Sequence, residues 1–280
     1  MIRSLQAHWR VYLIEAWALG MFMVSACAFV ILLEHPYFNV PSMIRSPFMR
    51  RALVGLVMGI TAIALIYSNW GKKSGAHMNP AVTLANYQLD RIKLTDAAWY
   101  IIAQCCGAVL FVFAFKWLAF RFVSDASVNY IVTVPGQSGT IAAFVAEFLM
   151  SFTLFSVILA MNNSRWAKYT GYVAGSMVFL FISVEAPISG MSINPARSFG
   201  SALPAQIWSD FWLYIIAPVS GMQLAAYFYR KWYFKAKGEC GSLKSFMSGK
   251  QHSNKVYSVL RWYKKTVSGI LFIDNSTTHG

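Results

Sequence analysis

Ser74-Gly75-Ala76-His77-Met78-Asn79-Pro80-Ala81 and Ser189-Gly190-Met191-Ser192-Ile193-Asn194-Pro195-Ala196 are two versions of one phrase within a single chain. Each overlaps a short apolar piece, Ala76–Leu89 and Ile188–Leu203, flanked by glycine and interrupted by an Asn-Pro pair. A helix needs about 20 residues to cross the hydrocarbon of a bilayer, and both pieces fall short. A broken helix at membrane depth is tolerated where protein or a water-filled cavity shields its ends. The two phrases therefore predict re-entrant half-helices. In each, Asn is a natural N-cap, and Pro is a natural first helical residue because its missing N–H would be an orphan there anyway.

Outward from the two phrases, six apolar stretches reach or approach spanning length: Val11–Leu33, Ala52–Trp70, Ala97–Trp117, Ile141–Met161, Tyr169–Val184 and Phe211–Tyr229. The fifth is short and is expected to extend upstream. Matching residues recur around the phrases. Glu15 in the first span answers to Glu147 in the fourth, and Gln104-x-x-Gly107 in the third answers to Pro218-x-x-Gly221 in the sixth. The chain reads as two copies of span, span, half-helix, span, over about residues 11–120 and 140–229. Three crossings per copy is an odd number, so the second copy inserts upside down relative to the first. Inverted repeats with broken helices meeting at the midplane mark permeation pathways. The expected fold is an all-α membrane protein with six transmembrane helices and two half-helices.

Composition agrees. Hydrophobic residues make up 57% of the 280-residue chain and charged residues only 12%, against about 25% charged in soluble domains. The first apolar run is too long for the core of a cleaved signal and is kept as a span. The net charge of +14 could suggest nucleic acid, but much of the excess lies after Tyr229. That position reads as a basic tail, residues 230–280, against anionic headgroups, and no nucleic-acid partner is expected. With the N-terminal segment 1–10 inside, all of the 24 Lys and Arg except Arg45, Arg50, Arg51, Lys116, Arg121 and Arg197 fall on the inner side or in the tail. Both termini are thus expected to be cytoplasmic, with Glu34–Arg50 and Ser124–Gly139 outside. Cys27, Cys105, Cys106 and Cys240 show no metal or disulfide spacing, and no metal or cofactor is expected.

Two Asn-Pro-Ala boxes inside a six-span inverted repeat resemble the aquaporin family, the major intrinsic proteins, over roughly Glu15 to Tyr229. The resemblance implies a passive channel for water, with small uncharged solutes left open, that excludes protons and ions. It also implies a homotetramer in the plasma membrane with one pore per subunit. The side-chain oxygens of Asn79 and Asn194 would cap their helices, leaving each NH2 free as a donor to passing water. Pro80 and Pro195 would start the half-helices. The helix N-termini carry partial positive charge toward the same point, and with Arg197 they would oppose cations. Glu15 and Glu147, ionisable groups inside apolar spans, need partners. The resemblance implies that they hold the loops near His77 and Met191 rather than relay protons, and His77 reads as a satisfied loop residue. Gly107, Gly175 and Gly221 fit close helix crossings.

Ser198, Ala202 and Tyr214 match the water-selective type of the family rather than the glycerol type, whereas Ile215 departs from it. Counting from the boxes without gaps puts the remaining constriction positions at Gly59, Ile182 and Met191. The Phe and His usual in water channels are absent from the first two, so a wider and less polar filter is expected. Met191 is expected to fill part of the gap with its flexible thioether. A glycerol- or urea-type facilitator is the nearest rival, followed by a structural membrane protein on the same fold. A secondary transporter would need more spans and a carboxylate facing the pathway. An enzyme is not expected, because the five histidines offer no HExxH and no Ser/His/Asp set. The segment Lys255–Phe272 reads equally as an amphipathic interfacial helix or as disordered chain.

Overall fold

The structure, a computed structural model, describes residues 1–247, with side-chain surroundings given as far as Trp232. The tail segment Lys255–Phe272 lies outside the described residues. The elements that frame the site are α1 (Ile2–Glu34), α2 (Pro47–Tyr67), the short α3 (Pro80–Gln88), α4 (Leu94–Val123), α5 (Gly139–Asn162), α6 (Thr170–Ser189), the short α7 (Pro195–Ala205) and α8 (Leu213–Met247). Short helical turns at Val40–Met43 and Asn69–Ser74 sit in the connections.

Five of these helices, α1, α2, α4, α5 and α6, are long and apolar enough to cross a membrane. In α8, Tyr214, Pro218, Gln223 and Tyr227 dilute the apolar run. The outward faces carry exposed Leu56, Ile60, Ile102, Leu110, Leu149, Leu180 and Val184, the surface that a hydrocarbon solvent favours and water does not.

Helix limits follow local chemistry. The half-helices begin only at Pro80 and Pro195, later than the apolar pieces do, because the asparagine before each proline has extended backbone and caps the helix. Ile188 and Ser189 belong to α6, which runs past Pro187 to a left-handed Gly190. The fifth span therefore gains a turn upstream, through Ala167–Tyr169, and also continues downstream. Segment 1–10 is helical from Ile2 and continuous with the first span.

Packing shows the repeat. The first and third spans of each half lie together, α1 against α4 and α5 against α8, while α2 pairs with α6 across the halves. Each half-helix then packs on the last span of the opposite half, α3 on α8 and α7 on α4. Glycines permit the closest crossings. A Cβ at Gly221 of α8 would lie 2.5 Å from the Phe148 carbonyl oxygen of α5, and one at Gly107 of α4 would collide with the Ala16 carbonyl of α1. Gly59 and Gly175 face each other where α2 meets α6, and a Cβ on either would stand 2.6 Å from the other's carbonyl oxygen. Small residues at such crossings let backbones approach where no hydrophobic drive separates protein from lipid.

Candidate functional site

The two loops that precede the half-helices meet inside the bundle. Asn79 Oδ1 accepts the Ala81 amide at 2.8 Å. Asn194 Oδ1 accepts the amides of Ala196 and Arg197 at 3.1 and 3.2 Å. The expectation that each NH2 stands wholly free is corrected by the geometry. Asn79 Nδ2 donates to the Ile193 carbonyl at 2.7 Å, and Asn194 Nδ2 donates to the Met78 carbonyl at 2.7 Å. One amide proton of each asparagine thus ties its box to the opposite loop, and the other is left for the cavity, whose wall includes both residues. The reason is backbone geometry. Ala76, Met78, Met191 and Ile193 all have positive φ near +50°, and this alternation spends backbone strain on a loop whose carbonyls can accept from the opposite half.

Two buried carboxylates hold that loop geometry. Glu15 accepts from the Ser74 hydroxyl (2.7 Å), the His77 amide (3.0 Å), the Met78 amide (2.6 Å) and Gln104 Nε2 (2.8 Å). Glu147 accepts from the Ser189 hydroxyl (2.6 Å) and the amides of Ser192 (2.7 Å) and Ile193 (2.6 Å). Both are fully buried. A charge away from water must have its lone pairs filled, and here irregular loop backbone fills them. Tyr100 and Tyr214 complete the symmetry, their hydroxyls donating to the carbonyls of Ser74 (2.7 Å) and Ser189 (2.5 Å). His77 Nδ1 lies 3.1 Å from Thr83 Oγ1, and its ring packs against Tyr100. The second-half counterparts, Ser192 and Ser198, join hydroxyls at 2.6 Å.

One cavity of about 680 Å³ runs past the boxes. Its wall reaches from Glu34 and Arg51, at the end where α1 finishes, to Lys72, Arg91 and Lys168 at the end where α1 starts. Ile182, Met191 and Arg197 are on this wall. Arg197 Nη1 donates to the Ile131 carbonyl at 2.9 Å, which fixes the guanidinium beside the path. Gly59 is not on the wall. It is buried in the α2–α6 crossing, and Met58 lines the cavity together with Val54, Ala62 and Ile66 on the same face of α2. Gap-free counting back from Asn79 fails by one residue. One residue turns a helix by about 100°, enough to exchange the pore face for the packing face.

At the α1-finishing end, Arg50 Nε pairs with Glu34 at 3.0 Å and Arg50 Nη1 donates to the Ile44 carbonyl at 2.8 Å, closing the first long loop on itself. Asp125, in the second long loop, accepts the Ser127 hydroxyl and amide at 2.6 and 2.9 Å. These bonds, with His35 nearby, hold its carboxyl below the usual carboxylate pKa.

Sequence reading missed Met58, Ile131, Tyr100 and Glu185. Glu185 is a buried carboxylate in α6 with no hydrogen-bond partner on either oxygen among the described residues. It lay just past the expected end of the fifth span. A carboxylate between Val184 and Ala186 was its signal, passed over because the fifth span was ended at Val184. Tyr100 stands four residues before Gln104 as Tyr214 stands four before Pro218, a pairing the repeat already offered in the sequence.

Fold and site together define a polytopic membrane protein in which two half-helices meet at paired asparagines beside a through-running cavity. The family model for the major intrinsic proteins matches residues 1–229, and the chain belongs to that family. It is similar to Nodulin-26 of Glycine max, 33% identical over 204 residues, which are 71% of this chain and 73% of that protein. It is also similar to Aquaporin NIP1-2 of Arabidopsis thaliana, 35% identical over 63% of this chain. The match spans 61% of that relative's length, and 55% of Aquaporin NIP3-1 from the same plant. The fold is shared with a solved structure, the aquaglyceroporin from Plasmodium falciparum, at a TM-score of 0.67 and 20% identity over 79% of this chain and 95% of that one.

Proposed function

We propose that this protein is a passive channel for water that also admits small uncharged solutes and excludes protons and ions. The observation that carries the reading is the reciprocal bonding of Asn79 and Asn194 on the wall of a cavity that passes through the bundle. Each asparagine keeps one amide proton for the path. A water oxygen at the meeting point accepts from both and turns its own hydrogens away, which interrupts the hydrogen-bonded file a proton would need. The half-helix N-termini direct partial positive charge to the same point, and Arg197 adds a full charge nearer the mouth. Cations and hydronium meet both.

Solute range is set beside Arg197. Met58, Ile182 and Met191 give an apolar, deformable wall to the cavity that Arg197 also lines as one strong donor. Such a wall accepts the carbon chain of a small polyol while Arg197 replaces part of its hydration. Relatives that carry the name aquaporin are compatible with water as a permeant. By Lys and Arg asymmetry both termini are cytoplasmic. A plasma-membrane location and a homotetramer with one pore per subunit complete the reading, and the basic tail meets anionic headgroups.

Purified full-length protein in liposomes, followed by stopped-flow light scattering, tests the proposal. Water efflux well above protein-free vesicles is expected, with measurable glycerol or urea uptake. Solute uptake without water flux would make this a solute facilitator, and neither flux would leave a structural protein on a channel fold.

A further inference from the structure

The mouth at the α1-starting end of the cavity differs in charge from the rest of the wall. Lys72, Arg91 and Lys168 line it, and they arrive on three separate elements: the short turn Asn69–Ser74, the connection after α3, and the turn before α6. Each is held from behind. Ser68 caps the turn that carries Lys72 through the Gly71 amide at 2.8 Å. The Arg91 amide donates to the Asn86 carbonyl at 3.0 Å, and its guanidinium lies 5.9 Å from the centre of the Tyr229 ring. The Tyr67 hydroxyl donates to the Lys168 carbonyl at 2.6 Å. Among the described residues, none of the three cations has a carboxylate within ion-pair distance. Among the described residues, the one acidic side chain on the cavity wall, Glu34, is at the opposite mouth. Asp90, next to Arg91 in sequence, is engaged by Arg230 at 3.3 Å.

Two further features favour an anion. Thr170, Gly171 and Ala174, in the first turns of α6, line the same mouth, so the positive end of a 20-residue helix faces it. Asn162 also lines it and brings a side-chain amide to the same mouth; its Oδ1 shares the Thr170 hydroxyl with the Ala167 carbonyl, each at 2.8 Å. Cations converging in a concave mouth sum their potentials and concentrate counter-ions there, and an arginine with lysines suits the oxygens of phosphate.

We propose that this mouth is a binding site for a phosphate-bearing polyanion, and that its occupancy narrows the path and lowers water flux. The phosphate can come from a soluble polyphosphate or from an anionic lipid headgroup, since both present the same oxygens at the membrane surface.

The test uses the full chain in phosphatidylcholine liposomes with inorganic tripolyphosphate on both sides, against sodium chloride at matched ionic strength and osmolarity. Each protein's water flux is referred to its own value without the anion. Tripolyphosphate should lower wild-type flux severalfold and leave Lys72→Gln/Lys168→Gln almost unaffected. The double variant keeps the basic tail, so an equal response in both proteins would place binding elsewhere and overturn the proposal. A second arm replaces part of the lipid with phosphatidic acid and omits tripolyphosphate. Lower flux in the wild type than in the double variant there makes the headgroup the source; inhibition in the first arm alone makes it the soluble anion. Tripolyphosphate should also raise the thermal unfolding midpoint of the wild type in detergent but not that of the variant. No differential effect in flux or midpoint, in either arm, would refute the site.

Discussion

Glu147 supports the Ser189 hydroxyl and the amides of Ser192 and Ile193, and none of these donors has bulk water to turn to. Glu147→Ala should cost about 1–3 kcal/mol for each donor left unpaired, read as a lower unfolding midpoint in detergent, with Glu147→Gln recovering part of the loss. A variant of unchanged stability that abolished a proton current would instead make this carboxylate a relay. Met58 and Gly59 separate two roles that adjacent residues could easily be thought to share. Met58→Phe places a ring on the cavity wall and should reduce glycerol or urea uptake more than water flux. Gly59→Phe meets the Gly175 carbonyl and should act on folding, lowering both fluxes together with yield. If Gly59→Phe folds normally and narrows selectivity while Met58→Phe does neither, the assignment of the α2 faces is wrong. At this scale the boxes and Arg197 were legible from their spacing. The bonds from each NH2 to the opposite loop were not, because they need two segments far apart in sequence to meet.

Helices were legible by length and hydropathy, and their ends less so. Pro187 shows why: its ring removes one hydrogen bond near the C-terminus of α6, yet the helix continues to Ser189 because packing outweighs one local penalty near an end. The half-helices were read too long because apolar composition does not distinguish helix from the left-handed loop that precedes it. Element packing supplies its own prediction. Gly175→Leu forces a branched side chain against the Gly59 carbonyl and Ile63. Overpacking of this kind costs about 1–3 kcal/mol, and more where backbone is the obstacle. Thermal unfolding in detergent should show the loss, whereas Leu180→Ala, on the exposed face of the same helix, should shift the midpoint much less. Equal shifts would mean that α2 and α6 do not meet through these glycines.

For the whole molecule, the inverted repeat was the strongest signal in the sequence, since Glu15 with Glu147, the two boxes, and Gln104-x-x-Gly107 with Pro218-x-x-Gly221 recur in the same order in each half. What the repeat could not disclose is the exchange it builds. Each half-helix packs on the last span of the other half, and each asparagine donates to the other half's loop. The halves are therefore locked where the half-helices meet beside the cavity, and on the proposed function this lock is where water passes. Water and proton permeability, measured in parallel on the same liposomes for wild type, Asn79→Asp and Asn194→Asp, test this most directly. An aspartate removes an NH2, sets carboxylate oxygens against the opposite carbonyl, and adds negative charge where the half-helices converge. The wild type should pass water well above protein-free vesicles without added proton leak. Each variant should lose most of that water flux or gain a cation leak. Wild-type water flux with tight proton exclusion in both variants would contradict the account.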